Sequence, residues 1–129
     1  MTDRIEARVV RHSELELLSG KVTSDGGELR QFSGSDYGLA TSAMVAEVAP
    51  GSGARRHRHP HPEVFVLHDG QGRFEVEGTY FEAEAGEMVI IPPDAWHSFT
   101  NSGTAPLRHV AIHENQRAVS EFEDGSRRE

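Results

Sequence analysis

The stretch GSGARRHRHPHPEVFVLHDG, residues 51–70, carries the densest chemistry in the chain. His57 and His59 are separated by one residue, so in an extended segment both side chains leave the same face. Glu63 lies at an even offset from both and returns to that face if the segment stays extended. Pro60 and Pro62 exclude a helix here and remove two backbone donors. The apolar run Val64 to Leu67 reads as a strand, and Asp69-Gly70 reads as its closing turn. Imidazole nitrogens and a carboxylate are the ligand types that borderline divalent metals take.

A second stretch, GEMVIIPPDAWHSFTN at residues 86–101, supplies a partner for the first. Met88 to Ile91 is an apolar strand that stops at Pro92-Pro93, and His97 opens another strand and offers a third imidazole. Taken together the two stretches resemble the cupin family. Its first motif, G-x5-H-x-H-x3-E-x6-G, is matched at Gly51, His57, His59, Glu63 and Gly70. Its second, G-x5-P-x-G-x2-H-x3-N, is matched at Gly86, Pro92, His97 and Asn101, with Asp94 in place of a glycine. Glycine at such a position serves a turn with positive φ, and Asp tolerates that region better than most residues. Asp94 is therefore expected to keep the turn, exposed and not a ligand.

The resemblance implies an all-β fold, a double-stranded β-helix or jelly-roll barrel, in a single domain over residues 1–129. Its motif core is 51–101, preceded by an N-terminal strand arm at 1–38 and followed by a polar tail at 115–129 that is expected to fray. It also implies one divalent transition metal per chain (Fe, Mn, Ni, Cu, Zn or Co) on His57, His59, Glu63 and His97. Four protein ligands leave positions open on an ion that prefers five or six.

The flanking segments fit the same architecture. Ile5 to Val10, Leu39 to Val48, Arg73 to Glu77, Tyr80 to Ala85 and Leu107 to His113 read as strands, with a hairpin at Gly78-Thr79. Ser13 to Leu18 reads as a helical turn ended at Gly20, and Ser24 to Gly27 as a turn. Phe65 and Leu67 share the parity of Glu63, and Phe99 shares that of His97. With Met44 and Ala46 opposite, they would line an apolar pocket beside the metal ligands. The family pattern puts His61 in a spacer, which predicts an exposed side chain, and His68 ends a strand beside a turn. His109 and His113 share one face of the last strand. An exposed face is the simpler reading and the barrel mouth the alternative. Arg55 and Arg56 read as a solvated pair, Arg73 points to solvent by alternation, and Arg108 is open.

Composition narrows the function. There is no cysteine, hence no disulfide framework and no thiolate metal site. The N-terminus carries charges where a signal peptide needs an apolar core, so a cytoplasmic location is expected. No apolar run approaches a membrane span. A formal net charge of −8 argues against a nucleic-acid footprint. The expected partner is a small molecule. The favoured reading is a metal-dependent enzyme of the dioxygenase, isomerase or decarboxylase type on a small, mostly apolar, oxygen-bearing compound. The alternative is a binding or sensing module for a sugar or metabolite without turnover. The strand at Ile5 to Val10 has little place in a minimal barrel, so pairing on a second copy's sheet edge predicts a homodimer.

Overall fold

Alternating side chains and closely spaced turns build two antiparallel sheets that face one another. The computed structural model describes residues 5–18 and 27–128. After a 3-10 turn at His12–Glu14, the strands among the described residues are β1 (Glu16–Leu17), β2 (Gly27–Phe32), β3 (Ser42–Val48), β4 (Gly53–Arg58), β5 (Glu63–Asp69) and β6 (Gln71–Val76). They continue as β7 (Thr79–Glu84), β8 (Met88–Ile91), β9 (His97–Asn101), β10 (Leu107–His113), β11 (Ser120–Phe122) and β12 (Arg127–Arg128). One sheet runs β1-β2-β3-β10-β5-β8 and the other β12-β11-β4-β9-β6-β7. This is the jelly-roll arrangement the motifs implied.

The register stacks inward-facing residues in rows. On the first sheet, β3, β10 and β5 bring Ser42, His113 and Glu63 into one row, Met44, Ala111 and Phe65 into the next, and Ala46, His109 and Leu67 into a third. Phe65 meets Phe74 and Phe99 of the opposite sheet edge to face, with centroids 5.1 and 5.6 Å apart. Burying side chains of this size contributes about 1.5–3 kcal/mol each. The aromatic cluster therefore holds the two sheets together and leaves the row of Ser42, His113 and Glu63 above it.

Two motif residues outside the ligand set have structural reasons. Gly70 has φ 81°, and a Cβ there would lie 2.6 Å from the carbonyl oxygen of Pro106. Asn101 donates from its side-chain amide to the carbonyls of Val48 and Ala105, both at 2.9 Å, and accepts from the Gly103 N–H at 2.9 Å. It ties the loop before β10 to the end of β3.

Several expectations are corrected. Residues 5–10 are irregular rather than a strand, and they pair with no strand among the described residues. Ser13 to Leu18 is not a helical turn: the 3-10 turn ends at Glu14, and Glu16 and Leu17 pair with Gln31 and Arg30 instead. Tertiary pairing overrides the local helical signal. Gly20 and the turn at Ser24 to Gly26 lie outside the described residues. Within the N-terminal arm, Gly27–Phe32 forms β2, whose Leu29 and Gln31 are buried. The hairpin turn sits at Glu77-Gly78, with φ 48° and 84°, the two positive values of a type I′ turn. The tail is not frayed over 118–122: β11 pairs with β4, and Ala118, Ser120 and Phe122 are buried. Asp94 is exposed with φ 64°, and its N–H donates to the His59 carbonyl at 2.7 Å. No helix among the described residues is long and apolar enough to cross a membrane.

Candidate metal centre

Three strands and one loop deliver the four motif side chains. His57 comes from β4, His59 from the loop after it, Glu63 from the start of β5 and His97 from the start of β9. A β-bulge helps to aim His57. Ala54 pairs with Phe99 and His57 pairs with His97, so three steps on β4 match two on β9. An odd spacing would put Ala54 and His57 on opposite faces of a regular strand. The bulge absorbs the extra residue and turns both inward, leaving Arg55 and Arg56 outside. Their guanidiniums stack on Phe122 and pair with Glu75 and Glu123.

The ligand-type atoms of His57, His59, Glu63 and His97 all lie within 4.8 Å of one another. Glu63 Oε1 is 3.1 Å from His59 Nε2 and 3.0 Å from His97 Nε2. The other ring nitrogens face backbone carbonyls: His57 Nδ1 to Arg55 at 2.7 Å, His59 Nδ1 to Val119 at 2.8 Å, His97 Nδ1 to Ala95 at 2.9 Å. A carbonyl only accepts, so each Nδ1 carries the proton and each neutral ring presents its Nε2 lone pair inward. Three lone pairs and a carboxylate then converge with no proton between them. That arrangement suits a divalent cation, and the donor set of nitrogen and oxygen suits a transition metal.

The electrostatics agree. Burial pushes the His57 pKa down to about 3, helped by His97 and His59 and opposed by Glu63 and the Arg55 carbonyl. Burial alone would raise the Glu63 carboxyl. The field of His113 and hydrogen bonds from His59 and His97 lower it when those rings carry a proton on Nε2, and the group is held well below its ordinary value; with the rings neutral, a cation takes the place of those protons.

A second cluster, His59, His61 and His113, adjoins the first. His61 is buried rather than exposed, because its ring is spent on the chain end. Its Nε2 accepts from the Val119 N–H at 3.2 Å, and its Nδ1 faces the Pro62 carbonyl at 3.3 Å. His59 and His61 thus hold both backbone groups of Val119. His109 and His113 also point inward, which corrects their reading as an exposed face. His113 Nε2 lies 3.3 Å from Glu63 Oε2, and neither of its ring nitrogens has a hydrogen-bond partner. His68, by contrast, is exposed.

A cavity of about 50 Å³ opens below these residues, with Met44, Ala46, Phe65 and Phe99 in its lining. Leu67 is fully buried but does not line it. Leu29, Ala54, Ala111 and Ser120 line it too, outside the pocket expected from the sequence, as do His109 and His113, for which the barrel mouth was the alternative reading. The alternation of Leu107, His109, Ala111 and His113 is a usable signal for three of them. Leu29 and Ser120 were hidden in segments read as polar. No Arg or Lys lines the cavity among the described residues. Arg108 points outward to Glu47 and Asp69, at 2.8 and 2.6 Å, and exposed Arg73 lies over Tyr80.

Comparisons with known proteins fit this geometry. Residues 44–113 match the family model described as Cupin domain. The chain is 34% identical over 111 residues to the polyketide synthase CurC of Streptomyces cyaneus, covering 84% of this chain and 70% of that protein. It is 39% identical over 64 residues to the dimethylsulfoniopropionate lyase DddW of Ruegeria pomeroyi, covering 50% of this chain and 41% of the lyase. Among solved structures, the formate complex of Lactobacillus farciminis oxalate decarboxylase superposes with a TM-score of 0.76 at 21% identity, covering 87% of this chain. The chain spans only 34% of that decarboxylase, and the likeness is one of fold.

Proposed function

The chain belongs to the cupin family, and from that premise we propose that it is a metal-dependent enzyme acting on a small, mostly apolar molecule that bears oxygen. His57, His59, Glu63 and His97 hold one divalent transition ion. The supporting observation is the set of three imidazoles whose Nδ1 protons are tied to backbone carbonyls while their Nε2 lone pairs meet the Glu63 carboxylate. A bound ion would supply Lewis acidity toward an oxygen of the substrate. The chain's own residues do the rest. The carbonyl bonds keep the ligand rings oriented, and Met44, Phe65, Phe99 and Ala111 exclude water and favour an apolar body. With no Arg or Lys in the lining, a phosphorylated or multiply anionic ligand finds no counter-charge. The similarity to a protein named as a dimethylsulfoniopropionate lyase supports an enzyme acting on a small molecule.

Protein purified without a histidine tag is expected to contain about one transition metal per chain by elemental analysis, and His57→Ala essentially none. Wild-type protein that takes up no metal overturns the reading. Substrate screening separates the reaction types. Oxygen uptake marks a dioxygenase, and substrate loss without it marks an isomerase, lyase or decarboxylase. A ligand that binds unchanged marks a binding module.

A further inference from the structure

His109 is a buried imidazole that packs among aromatic rings but leaves its Nδ1 without a hydrogen-bond partner. It sits in the middle of β10 on the inward face, four residues from His113, in the row of Ala46 and Leu67. Its neighbours are apolar: the rings of Phe65 and Phe99 lie 5.0 and 5.2 Å from it, centroid to centroid. It is 2% exposed, and its Nδ1 has no hydrogen-bond partner. Leaving a buried polar atom unpaired is destabilising, and an apolar side chain in the same place would avoid that cost. His109 does not belong to the group of metal-ligand type around Glu63, nor to the one around His61. It does line the cavity that the metal-ligand row also lines.

We propose that His109 is a second polar anchor for the substrate, so that the cavity takes a short bifunctional molecule with one oxygen at the metal end and a hydroxyl or carbonyl at His109. This rests on the metal-dependent reading above. The two ends are joined by an apolar passage of Met44, Ala111, Phe65 and Phe99, which gives the middle of the molecule its character. A cavity of about 50 Å³ has room for roughly four water-sized groups, so the body between the polar ends is a few carbons long. Burial lowers the His109 pKa to about 4, opposed by the field of Glu63. At neutral pH the ring is therefore uncharged and has one donor and one acceptor nitrogen. It can pair with a neutral hydroxyl or carbonyl and gives no advantage to a second carboxylate. A site built to satisfy such a group discriminates strongly against an analogue that lacks it.

The test uses Co(II)-loaded full-length protein and three matched pairs of probes: glycolate and acetate, 3-hydroxypropionate and propionate, 4-hydroxybutyrate and butyrate. Binding is read from the cobalt absorption spectrum. At least one hydroxy acid is expected to bind about tenfold or more tightly than its unsubstituted partner. His109→Phe, which places an aromatic among aromatics, is expected to abolish that gain with cobalt content unchanged. His109→Gln, which keeps a donor and an acceptor, is expected to retain part of it. Equal binding of every pair, or a gain that survives His109→Phe, overturns the inference while leaving the metal reading intact. Failure of every probe to perturb the cobalt spectrum overturns the inference alone, and failure of the wild-type protein to bind cobalt overturns both.

Discussion

The four candidate ligand residues, which the structure brings together, were legible because their spacing and their chemistry point the same way. His57, His59 and Glu63 keep an even spacing, and His97 follows a strand that Pro92-Pro93 ends. The other inward histidines were not legible, since burial of an imidazole depends on what the opposite sheet supplies. His61 illustrates the point: its partner is the backbone of Val119, 58 positions away. Removing one ligand should empty the centre, so His97→Ala is expected to lose metal by elemental analysis, with the fold retained by circular dichroism. Phe99→Ala removes a ring that packs against Phe65, Phe74 and His109. Its expected cost is about 3–5 kcal/mol in denaturant unfolding, with metal content unchanged. Asp94→Gly keeps the positive φ and the N–H that meets His59, so metal content is expected to match wild type.

At the scale of elements, β3, β5, β8, β9 and β10 could be read from alternation and from Gly and Pro punctuation. The two ends of the chain could not. The segment after His113 is polar, yet Ala118 and Phe122 are buried, and Phe122 packs on the His57 ring with centroids 5.6 Å apart. Arg58 pairs with Glu121 across β4 and β11 at 2.7 Å. These contacts depend on long-range pairing, which local composition does not encode. Truncation after Arg117 removes the carbonyl that orients His59. Loss of such an orienting partner typically lowers metal affinity 10–100-fold. That drop is expected in a competition titration of the truncated protein, and wild-type affinity would deny the tail a role at the centre.

The whole molecule carries a pH signature. His57, His109 and His113 are neutral and buried, with pKa values lowered from 6.5 to about 3, 4 and 4. In the unfolded chain they titrate near 6.5, so between that pH and about 4 the unfolded state binds more protons. Their contribution to stability is complete above about pH 6.5 and is lost as pH falls through the window. Urea midpoints of metal-free protein should therefore decline across it, by up to about 1.4 kcal/mol per pH unit for each such group. His109→Phe should flatten the slope. Assembly belongs to this scale too. Among the described residues, 5–10 pair with no strand, and Ile5 and Val9 are exposed. If they pair with a second copy, deletion of the first twelve residues shifts the mass in solution toward monomer. An unchanged dimeric mass would remove strand exchange. The grip of His59 and His61 on Val119 makes the chain terminus a gauge of the centre. An ion that fixes the His59 ring tightens its bond to the Val119 carbonyl, and by reciprocity a docked terminus tightens the ion. Amide exchange along 118–122 should slow as metal is added, and a protease should release the terminus faster from protein stripped by a chelator.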